Sequence, residues 1–140
     1  MATDMDDDLT YVSSRLPGYE PYGDEDALHD NDMRVRSYVG ERLTNAQGRV
    51  GTLDAAVQAT LDDVLMRCMF ADQVFVKNFE HAKLDGSLGA ALVRSDRRLV
   101  TLGERAGALP SGDVSGFVAL LDEVDRQLDA RREPDEITTP

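Results

Sequence analysis

Val35–Ala82 reads VRSYVGERLTNAQGRVGTLDAAVQATLDDVLMRCMFADQVFVKNFEHA, and its periodicity decides the fold class. Apolar or small residues recur at Val35, Val39, Leu43, Ala46, Val50, Leu53, Val57, Leu61, Val64, Cys68, Ala71, Phe75, Phe79 and Ala82. These are 13 steps across 47 residues, all threes and fours, or 3.6 residues per step. That is the period of an α-helix with one buried face. The stripe keeps its phase through Gly48 and Gly51, where propensity alone predicts a break. Two readings follow. One is a single helix of ~50 residues, ~75 Å long at ~1.5 Å rise per residue. The other is a helix over 32–46 and a second over 52–84, with Thr52 as its N-cap.

Working outward toward the C-terminus, Asp85-Gly86-Ser87 closes this segment. Gly86 suits the left-handed position after a helix, and Ser87 or Asp85 suits the next cap. A helix over 87–106 carries Leu88, Leu92, Leu99, Leu102 and Ala106 on one face, with Ser95 at the missing step. Gly107–Gly112 reads as a turn. A last helix, capped by Ser111 or Asp113, buries Val114, Phe117, Leu121, Val124 and Leu128 and is stopped by Pro134. No strand-type alternation is sustained. The expectation is an all-α protein: an antiparallel three- or four-helix bundle over 32–133 with a long central helix and coiled-coil-like packing, and a frayed end at 134–140.

Toward the N-terminus the character changes. The net charge is −12, and residues 1–32 carry most of it, with ten acidic residues against the single Arg15. Few aliphatics and two Pro-Gly-type breaks predict an acidic, flexible and disordered tail over 1–31. Residues 11–22 are less bland, because Tyr11, Leu16, Tyr19 and Tyr22 stand in a polar background. They read as a short linear motif that docks on a partner or on this protein's own bundle.

Little in the chain suggests catalysis. His29 sits among Asp26, Asp30 and Asp32, but without the ligand alternation or central glycine of a calcium loop. His81 has no second histidine one turn away, and no Glu-x-x-His accompanies it. Cys68, the single cysteine, lies on the apolar stripe and reads as an inert structural thiol. No phosphate loop, nucleophile elbow or dinucleotide fingerprint occurs. No catalytic residue, metal or cofactor is expected.

Two surfaces remain. Residues 64–79 are apolar on several sides, since Arg67, Asp72, Gln73, Lys77 and Asn78 form no single wet face. Leu65, Met66, Met69, Phe70 and Val76 are therefore expected in the core or at an oligomer interface. A lone molecule with Leu65, Phe70 and Val76 all bare to water counts against a scaffold built by packing. The most basic element carries Arg94, Arg97, Arg98 and Arg105. Opposite charge suggests that the acidic head folds over this helix. The acidic balance argues against nucleic acid and anionic membranes. The acidic start and the lack of a ~20-residue apolar run point to a cytoplasmic protein. The expected function is a non-enzymatic assembly or adaptor protein that self-associates into a homo-oligomer and binds a basic or helical protein partner. An acidic decoy mimicking nucleic acid is the alternative, and a cofactor-binding bundle ranks below both.

Overall fold

Helix formation in this chain is set by where carboxylates and glycines interrupt the apolar stripe. The computed structural model describes residues 4–23, 25–70, 72–80, 82, 84, 86–133 and 137. They form α1 (Asp4–Arg15), α2 (Glu25–Val50), α3 (Ala55–Cys68), α4 (Gln73–Phe79), α5 (Ser87–Gly107) and α6 (Val114–Ala130), with no strand among the described residues. The protein is an all-α bundle, with six helices among the described residues where three or four were expected.

The first interruption is Gly51. Its φ of 101° is open to glycine and strained for other residues. α2 therefore runs through Gly48 and stops at Val50. The cap of α3 is Asp54, which accepts from the Val57 N–H at 2.8 Å, and not Thr52. So the 50-residue helix does not exist, and α2 and α3 are separate and packed together. The long central helix expected over 52–84 does not exist either. α3 ends at Cys68, and α4 starts only after Asp72, whose carboxylate accepts from the Val74 and Phe75 N–H groups. The expected helix over 87–106 and the last helix appear as α5 and α6, the latter capped by Asp113 and not Ser111. His81, Asp85 and Pro134 lie outside the described residues.

The stripe residues themselves go where the period places them. Val35, Val39, Leu43, Ala46, Val50, Leu61, Val64, Cys68, Phe75 and Phe79 are all buried. They meet Leu92, Leu99, Leu102 and Ala106 of α5 and Phe117, Leu121, Val124 and Leu128 of α6 in one core. α2 and α5 form the central pair. α1 flanks α5, while α3 closes against α2 and α6. Arg49, at the end of α2, donates to the carbonyls of Ala106, Gly107 and Leu109 and satisfies the end of α5.

The acidic head is the largest departure from expectation. Over residues 4–15 it is α1, and the following loop lies on the bundle. Asp6, Asp7 and Asp8 sit near the positive end of the helix dipole, and Arg15 sits in its last turn. Leu9, Val12 and Leu16 form a short helical stripe that packs into the core. Arg15 Nε pairs with Glu104 at 2.7 Å, and Arg97 with Asp8 at 2.9 Å. The Tyr38 hydroxyl also donates to Glu104, and this bond with the Arg15 charge holds the carboxyl below its ordinary range. At the other end, within the stretch expected to fray, Ile137 is buried.

Two glycines mark close approaches to other segments. A Cβ on Gly89 would stand 1.9 Å from the Leu84 carbonyl oxygen, and one on Gly103 would stand 2.8 Å from the Tyr38 ring. The Tyr38 ring can turn aside, whereas the Leu84 backbone cannot move without shifting the start of α5. Gly89→Ala is expected to cost about 2–4 kcal/mol, as overpacking against backbone does. Gly103→Ala should cost less. Thermal unfolding of the two variants checks the order.

Candidate functional site

The break between α3 and α4 has no glycine or proline to cause it. Its cause is a buried set of charges. Asp32, on α2, is fully buried; its Oδ2 accepts from Arg36 Nε at 2.9 Å and from the Asp72 backbone N–H at 2.8 Å. Arg36 also donates to the Arg67 carbonyl at 2.7 Å and to Asp72 Oδ2 at 3.2 Å. One arginine thus satisfies an orphan carbonyl near the end of α3 and the carboxylate that caps α4. Arg132, just beyond α6, donates to the same Asp72 oxygen.

The set continues inward. Arg131, also fully buried, lies 2.7 Å from Asp96 Oδ1 and 3.5 Å from Asp32 Oδ1. Its Nε and Nη1 find no hydrogen-bond partner among the described residues. The guanidinium instead lies over the Phe75 ring, 4.6 Å from the centroid. Asp96 accepts from the hydroxyls of Tyr19, at 2.6 Å, and Tyr22. Asn31, alongside Asp32, donates to the Glu20 carbonyl at 2.7 Å and fixes the loop that carries those tyrosines. Three carboxylates, Asp32, Asp72 and Asp96, therefore face three guanidiniums, Arg36, Arg131 and Arg132, and the formal charges cancel.

The titration behaviour follows from this geometry. Burial pushes the Asp96 carboxyl above its ordinary range, and Arg131 and the two tyrosine hydroxyls only partly offset it. Burial also raises Asp72, but the Arg132 hydrogen bond and the Arg36 charge outweigh it and leave that carboxyl below its ordinary range. Burial and the Asp96 charge raise both Tyr19 and Tyr22, so the phenols stay protonated as donors. For Arg131, burial works against the charge, yet Asp96 and Asp32 prevail and hold it protonated.

This buried set decides what reaches the surface. With Asp72 pinned inward, the chain leaves α3 through Met69 and Phe70, which project outward. Met66 is 59% exposed, Met69 61%, Phe70 64% and Val74 48%. Met66 lies in the last turn of α3, Met69 is its C-cap and Phe70 follows in the bend, so the three exposed side chains stand close together along the chain at the end of α3. Leu65 and Val76 are partly buried against the core. The five residues expected as core or interface thus divide: Leu65 and Val76 serve the core, and Met66, Met69 and Phe70 face water, joined by Val74. The expectation that the middle segment is wrapped on all sides is not met at Phe70. Beside this patch, Ser37, Gly40, Thr44, Leu65 and Met69 edge a shallow groove between α2 and α3 of about 390 Å³.

The remaining sequence-derived candidates can be placed as well. Leu16, Tyr19 and Tyr22 are buried in this chain's own core, and Tyr11 is half-buried beneath Arg15 and Arg97. The four residues read as a docking motif hold α1 and its loop to α5. Arg94, Arg97, Arg98 and Arg105 come together along a groove of about 340 Å³ between α5 and α6. His29 is exposed and contacts Asp30 at 3.2 Å. Cys68 is buried, which pushes its thiol up to about 11. No described helix is long and apolar enough to cross a membrane. The buried charges were missed in the sequence because each looks like an ordinary Asp or Arg of an amphipathic stretch, with partners 36 to 60 residues away in the pairs made by Asp72. Compared with protein-family models, curated proteins and solved structures, the chain matches none.

Breaking this set from one side should be severe. Arg131→Met leaves Asp32 and Asp96 buried without their shared cation and is expected to cost about 3–5 kcal/mol, read by urea denaturation. Asp72→Asn tests the pH linkage. A carboxyl with a depressed folded pKa stabilises above the unfolded value, about 4, and loses that contribution as pH falls through the folded value. Asp96 has the opposite sign and is common to both proteins. The gap in thermal midpoint between wild type and Asp72→Asn should therefore be steady near neutrality and shrink below about pH 4.

Proposed function

We propose that the protein is a non-enzymatic helical assembly and adaptor protein that pairs with a second copy of itself through Met66, Met69, Phe70 and Val74. The observation that carries this reading is that patch. Large apolar side chains gathered on one exposed face mark association surfaces more often than they mark plain solvent-facing surface. The two methionines supply flexible, polarisable contact, and Phe70 supplies the large anchor that interface centres favour.

A second copy is the occupant that the local charges favour. In sequence the patch is bracketed by Asp62 and Asp63 on one side and by Lys77 on the other, all exposed. A two-fold interface sets a patch against itself, so the acidic margin of one copy meets the basic margin of the other. The densest set of titratable groups also supports a role without chemistry of its own. Asp32, Asp96 and Arg131 are sealed from solvent and occupied in holding the fold.

Charge makes the test discriminating. Two chains of −12 repel each other, and added salt screens that repulsion while leaving apolar contact intact. Sedimentation velocity over a range of concentrations should show a reversible dimer that tightens as salt is raised. Phe70→Ser should shift it to monomer with unchanged far-ultraviolet circular dichroism, since the side chain is exposed in the single chain. A wild-type protein that stays monomeric at every concentration and salt level rules the reading out.

A further inference from the structure

We propose that the groove between α5 and α6 binds an acidic peptide segment of a protein partner, with carboxylates seated on Arg94, Arg98 and Arg105. This site is separate from the Met66–Val74 face and does not depend on it. These three arginines line the groove, and among the described residues none of them has an ion-pair partner. The chain holds 27 acidic residues against 15 basic ones, and Arg15, Arg36, Arg67 and Arg97 are ion-paired. Arg34, Arg42 and Arg49 make no ion pair among the described residues either, but they engage Asn31, the Tyr38 ring and the carbonyls at the end of α5; Arg94, Arg98 and Arg105 have no such contact there.

Spacing selects the ligand. Arg94, Arg98, Thr101 and Arg105 follow steps of four, three and four along one face of α5. Side chains at that spacing stand about 5–6 Å apart, and the ladder extends for about 16 Å at ~1.5 Å per residue. Alternate side chains of an extended peptide lie about 6.6–6.8 Å apart on one face, close to the ~6 Å step from Arg94 to Arg98, and the long arginine side chains span the difference, so alternating acidic residues can reach Arg94, Arg98 and Arg105 together. Guanidinium forks suit planar carboxylates. Gln127, on the α6 wall, adds an amide for the peptide backbone. The fold holds a precedent one step along the same helix, where the carboxylate of Asp8 on the acidic α1 accepts from Arg97 at 2.9 Å.

Nucleic acid fits less well. Among the described residues no aromatic side chain lines the groove for base stacking. Glu123 stands on its wall, the volume is about 340 Å³, and the rest of the molecule is strongly negative. A short segment with a few carboxylates tolerates that field better than a continuous phosphate backbone does.

The test is fluorescence anisotropy with a fluorescein-labelled ten-residue peptide of alternating Asp and Ser, at low ionic strength. Saturable one-to-one binding is expected, weakening as salt is added. The double variant Arg94→Glu, Arg98→Glu should weaken it at least ten-fold, Arg98→Gln should weaken it less, and Lys77→Glu should leave it unchanged. Phe70→Ser should bind the peptide as wild type does, which keeps this result apart from that of self-association. Absence of saturable binding, equal affinity in the double variant with Arg98→Gln also unchanged, or tighter binding of a labelled ten-nucleotide single strand each overturns the proposal.

Discussion

Asp32 is the residue on which the rest of the fold is conditional. Its carboxylate is buried with no access to water, and an isolated buried charge is too costly to persist. It is tolerable only when Arg36, the Asp72 backbone N–H and Arg131 are all in place. Arg131 in turn requires Asp96, and Asp96 draws in Tyr19 and Tyr22. Segments from the head loop, α2, α4, α5 and the end of α6 must therefore arrive together. An apolar core of the same volume would be as stable or more so. The charges contribute mutual dependence, since no one segment can dock correctly while another is displaced.

The same dependence explains what could be read from the sequence. The apolar stripe from Val35 to Phe79 was legible because burial repeats every 3.6 residues whatever the tertiary context. α5 and α6 were legible because glycine, proline and Asp113 punctuate them locally. The end of α3 was not legible. Met66–Asp72 contains good helix formers in phase, and the chain bends there because Asp72 is captured by Asp32 and Arg36, far upstream. The head was misjudged for a related reason. Composition marked it as solvated, but Leu9, Val12 and Leu16 form a stripe only three residues deep, and the tyrosines that complete it need Asp96, which lies more than 70 residues away. Patterns that close within a turn or two are readable, and patterns that close across the bundle are not. Of the candidate surfaces, the arginines of α5 were visible as a helical face, whereas the exposure of Met69 and Phe70 followed only from the bend.

Charge is partitioned in this molecule, and the net value of −12 hides the arrangement. The interior set is neutral. Asp8 of α1 is engaged with Arg97, one of the four arginines that line the α5–α6 groove, and Arg94, Arg98 and Arg105 remain without a carboxylate partner among the described residues. The acidic head is therefore docked against α5 and is no free tail. The proposed adaptor role rests on one apolar face and one basic face that answer to different solution conditions.

A last consequence concerns Cys68 and the glycine opposite it. A Cβ at Gly40 would lie 3.0 Å from the Cys68 Cβ, so α2 and α3 meet there with almost nothing between them. The sulfur nevertheless edges the shallow groove of about 390 Å³ between these helices, so a reagent approaches it from that side. Burial raises the thiol pKa and slows attack near neutral pH. Because it is the chain's single cysteine, a thiol reagent modifies the protein at one place, on the seam between α2 and α3.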